Sequence, residues 1–424
     1  MDNYNRSQSQ KDRSDVTVRV TGLVSTAHFF SHFYFMVLPP LFPLLRESLD
    51  TTYTQLGVLI IIFNVVSASL QLPTGIVVDR LDPPRLLIGA VALQGIALLC
   101  IGLAPYYWVM VIAMAAAGAA NAVYHPADYA ILNRAVSEKG MGRAFSVHTV
   151  SGFSGSAVAP ATIVLLSQLG GWQLAVIAAG VLGLSIALFL LLQLHVLEKH
   201  SETTPKSTTK ELQVSDWRKV AKLLFSPPIL LAFVFWVFIA LAHSGVAYFS
   251  VSALDRLFNI SLTVSNGALT GFLLGSSVGI LLGGVIGDKT HRHVLVIVLG
   301  CTVSGLLIIS IGTINMPIMV LAITMTIAGI ASGVIAPSRD LLVRSLTPEG
   351  SMGTVFGFVS TGLNVGGIIG PLIFGWLLDN GRAGDVFLVA GGFMLAITLT
   401  VGGMQVAKNS QLYARKTFEE PPAT

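Results

Sequence analysis

Twelve apolar stretches run through this chain, at about 20–44, 52–78, 86–104, 107–133, 144–168, 172–194, 227–250, 262–287, 293–313, 316–340, 353–377 and 385–407. A bilayer core about 30 Å thick is crossed by about 20 apolar helical residues, so each stretch is long enough to span one. Inside lipid every backbone N–H and C=O must find a partner within the protein, and a helix supplies these partners from its own segment. The expected fold is therefore an all-α membrane protein with twelve transmembrane helices. Composition agrees, because charged residues make up only 11% of the chain, against about 25% in soluble proteins. Too few charges remain to cover a water-facing surface of this size.

Most connections are short, and Pro105, Gly170-Gly171, Pro317 and Gly381 punctuate the tight ones. The longest, 195–226, is polar and rich in lysine, and it divides the spans six and six. The chain thus reads as an N-terminal tail (1–19), a six-helix bundle (20–194), a central loop (195–226), a second bundle (227–407) and a C-terminal tail (408–424). Both tails are polar and expected to be mobile. Residues 1–19 lack an apolar core, so they are not read as a cleavable signal peptide. With the N-terminus inside, 22 of the 25 Lys and Arg residues fall on the cytoplasmic side, and only Arg46, Arg256 and Arg382 fall outside. The positive-inside rule favours that orientation and an even number of spans. Tails and central loop are then cytoplasmic, in a plasma membrane that, for a bacterial chain, is the inner membrane.

The halves repeat. Gly118-Ala-Ala-Asn-Ala-Val-Tyr-His-Pro126 returns as Gly329-Ile-Ala-Ser-Gly-Val-Ile-Ala-Pro337, and Phe145 and Pro160 return as Phe356 and Pro371. Gly75 and Asp79 return as Gly284 and Asp288. Repeated bundles of this kind place a binding site near the bilayer midplane, between the halves, and point to transport. Long hydrophobic spans alone would equally suit a membrane enzyme or anchor.

After the second span comes Gly75-Ile-Val-Val-Asp79-Arg80-Leu-Asp-Pro-Pro-Arg85, and after the eighth Gly284-Val-Ile-Gly-Asp288-Lys289-Thr-His-Arg292. Gly75 is expected to allow a close helix approach, and the charges to pair or cap a helix end. Here the chain resembles the major facilitator superfamily, whose signature loop reads Gly-x-x-x-Asp-Arg/Lys-x-x-x-x-Arg/Lys. The resemblance covers essentially the whole chain. It implies two pseudo-symmetric six-helix bundles that rock about a central cavity lined by spans 1, 4, 5, 7, 8, 10 and 11. It also implies gating roles for Gly75, Asp79, Arg80, Arg85, Gly284, Asp288 and Lys289.

Ionisable residues inside spans are costly and mark function. Tyr124-His125-Pro126-Ala-Asp128-Tyr129 sets His125 and Asp128 on one face of span 4, three residues apart, where they can pair. Pro126 loosens the helix and frees a carbonyl. His28 and His32 share a face of span 1 among Phe29, Phe30, Phe33 and Tyr34. Five of the nine histidines (His28, His32, His125, His148, His243) fall inside spans, and histidine titrates near neutral pH, so proton coupling or anion binding is expected of them. Arg339, the repeat counterpart of Asp128, either pairs with it across the halves or binds an anionic substrate. Each of these residues also has a plainer reading, as a satisfied packing group, a buried pair locking helices, or an arginine snorkelling to the interface.

Together, His28-Phe-Phe-Ser-His32, Leu38-Pro-Pro-Leu-Phe-Pro-Leu-Leu45 and Tyr124-His-Pro-Ala-Asp128 resemble the fosmidomycin-resistance-type branch of the superfamily. That branch implies export of small toxic compounds in exchange for protons. This chain differs in having Asp128 in place of Glu, and His32 in place of an Asn-Asp type pair. Import of a small organic acid with protons is the alternative, and a membrane sensor on a transporter scaffold is one of another class.

Other chemistry is not indicated. No Walker loop is present, so ATP is not the expected energy source. Ser-Gly-Phe-Ser-Gly-Ser at 151–156 lacks the strand that a hydrolase elbow needs. Cys100 and Cys301 sit alone in apolar stretches and read as small buried hydrophobes. No i, i+4 Glu or Cys completes a metal set around the histidines. The expectation is a monomeric, non-enzymatic carrier of a small molecule, with protons and the bilayer as partners, without cofactor, metal or nucleic acid.

Overall fold

A computed structural model describes residues 2–198, 217–348 and 351–419. It divides into two compact units, Met1–Thr208 and Thr209–Thr424. Among the described residues every regular element is helical. In the first unit these are α1 (Asp2–Phe35), a 3-10 turn (Pro39–Leu41), α2 (Phe42–Leu49), α3 (Tyr53–Arg80), α4 (Pro83–Leu103), α5 (Tyr107–Ala135), α6 (Glu138–Leu192) and α7 (Leu194–Glu198). The second has α8 (Trp217–Leu224), α9 (Pro227–Ser244), a π segment (Gly245–Phe249), α10 (Ser250–Phe258), α11 (Leu262–Lys289), α12 (His293–Thr313), α13 (Ile318–Leu346), α14 (Met352–Asp379) and α15 (Ala383–Glu419). Among the described residues eleven segments are long and apolar enough to cross a membrane. The longest, Gly140–Leu192, is broken by non-helical backbone at Gly170 and Gly171, so it makes two crossings and the total is twelve.

The duplication read in the sequence is visible in the backbone. Among the described residues four have positive φ, and they form two repeat pairs: Asp50 (47°) with Asn259 (50°), and Gly171 (78°) with Gly381 (71°). Asp50 and Asn259 end α2 and α10 in the left-handed conformation, where a short polar side chain is tolerated. The next long helices also start alike. Thr52 caps α3 by accepting from Gln55 N at 3.1 Å, and Ser261 caps α11 by accepting from Val264 N at 3.4 Å. Helix contacts repeat too. A Cβ on Gly118 of α5 would lie 2.5 Å from the Phe63 carbonyl of α3, and one on Gly329 of α13 would collide with the Phe272 carbonyl of α11. Gly155 of α6 lies against the Phe29 carbonyl of α1, and Gly366 of α14 against that of Val237 of α9. Small residues at these crossings let backbones touch, which supplies the van der Waals contact that holds helices together in lipid.

Several expectations are corrected. The first span is not one helix over 20–44. It stops at Phe35, turns through Pro39–Leu41 and restarts at Phe42, because Pro39 and Pro40 have no N–H to continue it. The seventh extends beyond 250 to Phe258 through the π segment. Residues 2–19 and 408–419, read as tails without an assigned helix, continue α1 and α15 as helix. Lengthening an existing helix needs no new nucleation, which explains the run-on. The central loop falls mostly outside the described residues; α7 and α8 are its described parts.

Candidate functional site

The first unit gathers four imidazoles around one acid. α5 carries Asp128, which is 0% exposed, at the level where Pro126 interrupts the backbone ladder. α6 brings in His148, whose Nε2 is 3.0 Å from Asp128 Oδ2. α1 contributes His28, whose Nδ1 is 3.4 Å from the same oxygen but out of hydrogen-bonding alignment. The His28 and His148 rings stack at 3.7 Å with 20° between planes. His32 packs edge-on against His28 at 4.7 Å, and its Nδ1 meets Ser156 Oγ at 3.3 Å. His28 and His32 therefore do share a face.

The expected pairing of His125 with Asp128 is not what forms. His125 stacks on Tyr129 at 5.9 Å, lies 5.1 Å from His28, and its Nδ1 has no hydrogen-bond partner. Asp128 points across the bundle to α6 and α1 instead. Residues three apart on a helix diverge enough for a neighbouring helix to supply the better partner. The shape of the site depends on Gly152, one turn after His148. A Cβ there would lie 2.6 Å from His28 Nε2 and 2.9 Å from His32 Cδ2. One turn before Asp128 on α5, Tyr124 donates to Gln94 Oε1 at 2.9 Å among buried apolar side chains.

Chemically, the arrangement can hold and pass a proton. Asp128 Oδ1 is buried without a hydrogen bond, and an ionised carboxylate so placed in an apolar bundle is costly unless paired. A proton placed on the acid, or shared with His148 Nε2, relieves that cost. The ligand atoms of His28, Asp128 and His148 lie within 4.8 Å of one another, close enough to suggest one small cation. The ring planes argue otherwise. Two nearly parallel rings 3.7 Å apart do not converge on a point within a metal–nitrogen bond of about 2 Å of both, so one ring would have to turn.

The remaining candidates lie elsewhere. His243 ends α9 beside Tyr248, 6.0 Å between rings, in the second unit. Arg339 of α13, also in the second unit, lays its guanidinium 3.9 Å from the Trp236 ring centre, and its Nε donates to Asp340 Oδ1 at 2.9 Å. In the signature loop Arg85 bridges Asp82 at 3.1 Å and Glu198, the last residue of α7, at 3.0 Å. Burial and the carboxyl of Glu198 raise the Asp82 pKa above the usual carboxylate value, with Arg85 opposing. Arg80, Asp288 and Lys289 are exposed, and the Asp79 side chain lies outside the described residues. Gly75 and Gly284 are not close-approach glycines, since an added Cβ meets nothing within 4 Å in its own unit. At Gly284 the close approach to α13 is made instead by its neighbour Gly283, where an added Cβ would lie 2.5 Å from the Val334 carbonyl. Sequence reasoning did not single out Gly152 or Trp236, nor give His148 its place as the acid's partner. The His148–Gly152 spacing of one helical turn was the available signal.

Known proteins match this chain over its length. The family model described as Major Facilitator Superfamily matches twice, over residues 24–257 and 237–414. The fosmidomycin resistance protein of Escherichia coli (strain K12) is 24% identical over 388 residues, covering 90% of this chain and 92% of that protein. A probable sulfoacetate transporter of Cupriavidus necator is 23% identical over 420 residues, covering 91% and 93%. The crystal structure of the nucleoside transporter NupG superposes with a TM-score of 0.72 at 15% identity, over 92% of this chain and 98% of that one.

Proposed function

We propose that this chain, which belongs to the major facilitator superfamily, is a proton-coupled carrier that exports a small organic compound by alternating access. It is a multi-pass membrane transporter of that superfamily. The finer reading rests on Asp128, a fully buried acid within reach of two imidazoles inside a membrane bundle. Such an acid is costly to keep ionised, so protonation and release there can be tied to a conformational cycle. In this reading Asp128, His148 and His28 carry the proton, His32 and His125 tune the cluster, and Arg339 and His243 serve the substrate. Similarity to a fosmidomycin resistance protein supports outward transport, and similarity to a probable sulfoacetate transporter supports an anionic substrate. Import of a small organic acid is the second reading, favoured by that same sulfoacetate relative.

The distribution of lysine and arginine supports an inner-membrane orientation with both termini cytoplasmic. In this reading Gly75, Asp79, Arg80 and Arg85 of the first unit and Gly284, Asp288 and Lys289 of the second are gating residues, and the Arg85–Glu198 contact is a latch within the first unit. A two-bundle carrier is complete as a monomer.

The test is uptake of fosmidomycin into inside-out vesicles from cells producing the wild type or Asp128→Asn, with and without an imposed pH gradient. Gradient-driven uptake by the wild type, lost in Asp128→Asn at equal amounts of protein in the membrane, is expected. Unchanged gradient-driven uptake by Asp128→Asn removes the proton role.

A further inference from the structure

Arg339 is held in a way that a snorkelling arginine is not. Its guanidinium carbon lies over the indole of Trp236, 3.9 Å from the ring centre, and its side chain is 16% exposed. Asp340 occupies only the Nε side, at 2.9 Å. That leaves the two terminal nitrogens, the end-on fork that matches paired oxygens of a carboxylate, sulfonate or phosphonate. One further donor beside it is unused: the indole Nε1 of Trp236 is buried without a hydrogen bond. Buried donors without acceptors are rare and call for an explanation.

Trp236 is itself 7% exposed, and Gly362 of α14 lies against its Cβ, where an added Cβ would come to 3.0 Å. The buried indole supports the guanidinium on its face. A flat cation stacked on a ring loses little rotamer freedom when it binds, so its fork is pre-organised.

We propose that Arg339, oriented by Trp236, is an oxyanion receptor, and that the carried compound bears a carboxylate, sulfonate or phosphonate. This rests on the reading of the protein as a carrier of small organic compounds and names its substrate class. Trp236 is a positioning residue, and Asp340 is the receptor's internal competitor, occupying one edge of the cation.

The test is equilibrium binding of sulfoacetate, phosphonoacetate and benzoate to the purified full-length protein in detergent, with acetamide and choline as neutral and cationic controls. No gradient is involved, so this outcome is independent of the Asp128→Asn vesicle result. The wild type is expected to bind at least one oxyanion and neither control. Arg339→Lys should weaken binding about tenfold, because a point charge replaces the fork. Trp236→Phe should keep most of the affinity, whereas Trp236→Ala should lose about as much as Arg339→Lys. Asp340→Asn should tighten binding about threefold by removing a nearby negative charge, a gain that damage to the fold would not produce. Absence of oxyanion binding by the wild type, or equal affinity in wild type, Arg339→Lys and Asp340→Asn, overturns the proposal. Equal affinity in Trp236→Ala and the wild type overturns the positioning role.

Discussion

The two halves of this chain build opposite sites at the same place in the same scaffold. In the first, α5 presents an acid, and the helix contacts of α1 and α6 surround it with imidazoles. In the second, α13 presents Arg339 where α5 presents Asp128. The repeated glycine crossings fix the remaining correspondence. Gly155 lies against Phe29 and Gly366 against Val237, so the preceding residues, His28 and Trp236, are counterparts. The counterpart of His148 is Val359, fully buried and apolar. Asp128 is thus enclosed and contacted by two titratable rings, while Arg339 has one aromatic face, one exposed acid and an open edge. Duplication repeats the geometry, and divergence at three positions leaves one copy with an acid enclosed by imidazoles and the other with a guanidinium over an indole.

The difference in enclosure sets the ranking of effects. Asp128→Arg should be the most damaging change, because it buries a cation among imidazoles with no acceptor; about 3–5 kcal/mol is expected, enough to prevent recovery of folded protein. Arg339→Leu, the corresponding loss of charge in the other half, should leave the melting temperature nearly unchanged. A thermal melt of both in detergent compares them, and equal losses would break the asymmetry.

Next comes crowding. Gly152→Ala places a methyl against His28 and His32, and about 1–3 kcal/mol of overpacking is expected, with gradient-driven uptake falling alongside. Gly362→Ala should cost a similar amount by meeting the Phe233 carbonyl at 2.7 Å, yet weaken oxyanion binding rather than proton coupling. Thermal melts together with the two functional assays separate the sites. If both variants lose the same function, the division of labour is wrong.

A smaller effect is expected at His148→Gln. The amide can still donate to Asp128 Oδ2 at about 1 kcal/mol but does not titrate, so stability should hold while the pH dependence of uptake flattens. An unaltered pH profile would move the coupling partner to His28.

The smallest effect lies outside the bundle. Asp82 has a folded-state pKa raised by burial and by Glu198. The folded state therefore binds this proton more tightly than the unfolded chain, and stability declines as pH rises through the window above the ordinary carboxylate value. Asp82→Asn should remove that slope and raise the melting temperature slightly at neutral pH. Melts between about pH 4 and 8, the range spanning a raised carboxyl, would show it. A steeper slope in the variant would contradict the assignment.

Much of the fold was legible because a bilayer imposes a length on every span, and because duplication wrote each feature twice. The crossings were readable at Gly118 and Gly329 as a repeated motif. The break at Pro39-Pro40 was readable in principle, since paired prolines cannot extend a helix, but an apolar run on both sides hid it. The site was half legible. Asp128, Arg339 and the five in-span histidines, His148 among them, stood out because ionisable groups are costly in apolar spans. Which of them pair did not, because which residue of α6 faces α5 depends on how the helices cross. His148, Gly152 and Trp236 acquire their roles from that crossing rather than from local spacing.

The most direct measurement is of protons released when sulfoacetate is added to purified protein in lightly buffered detergent, for the wild type and Asp128→Asn. The account predicts oxyanion binding in both, through the site at Arg339, with proton release in the wild type alone. Equal release from both proteins, or no binding by either, would contradict it.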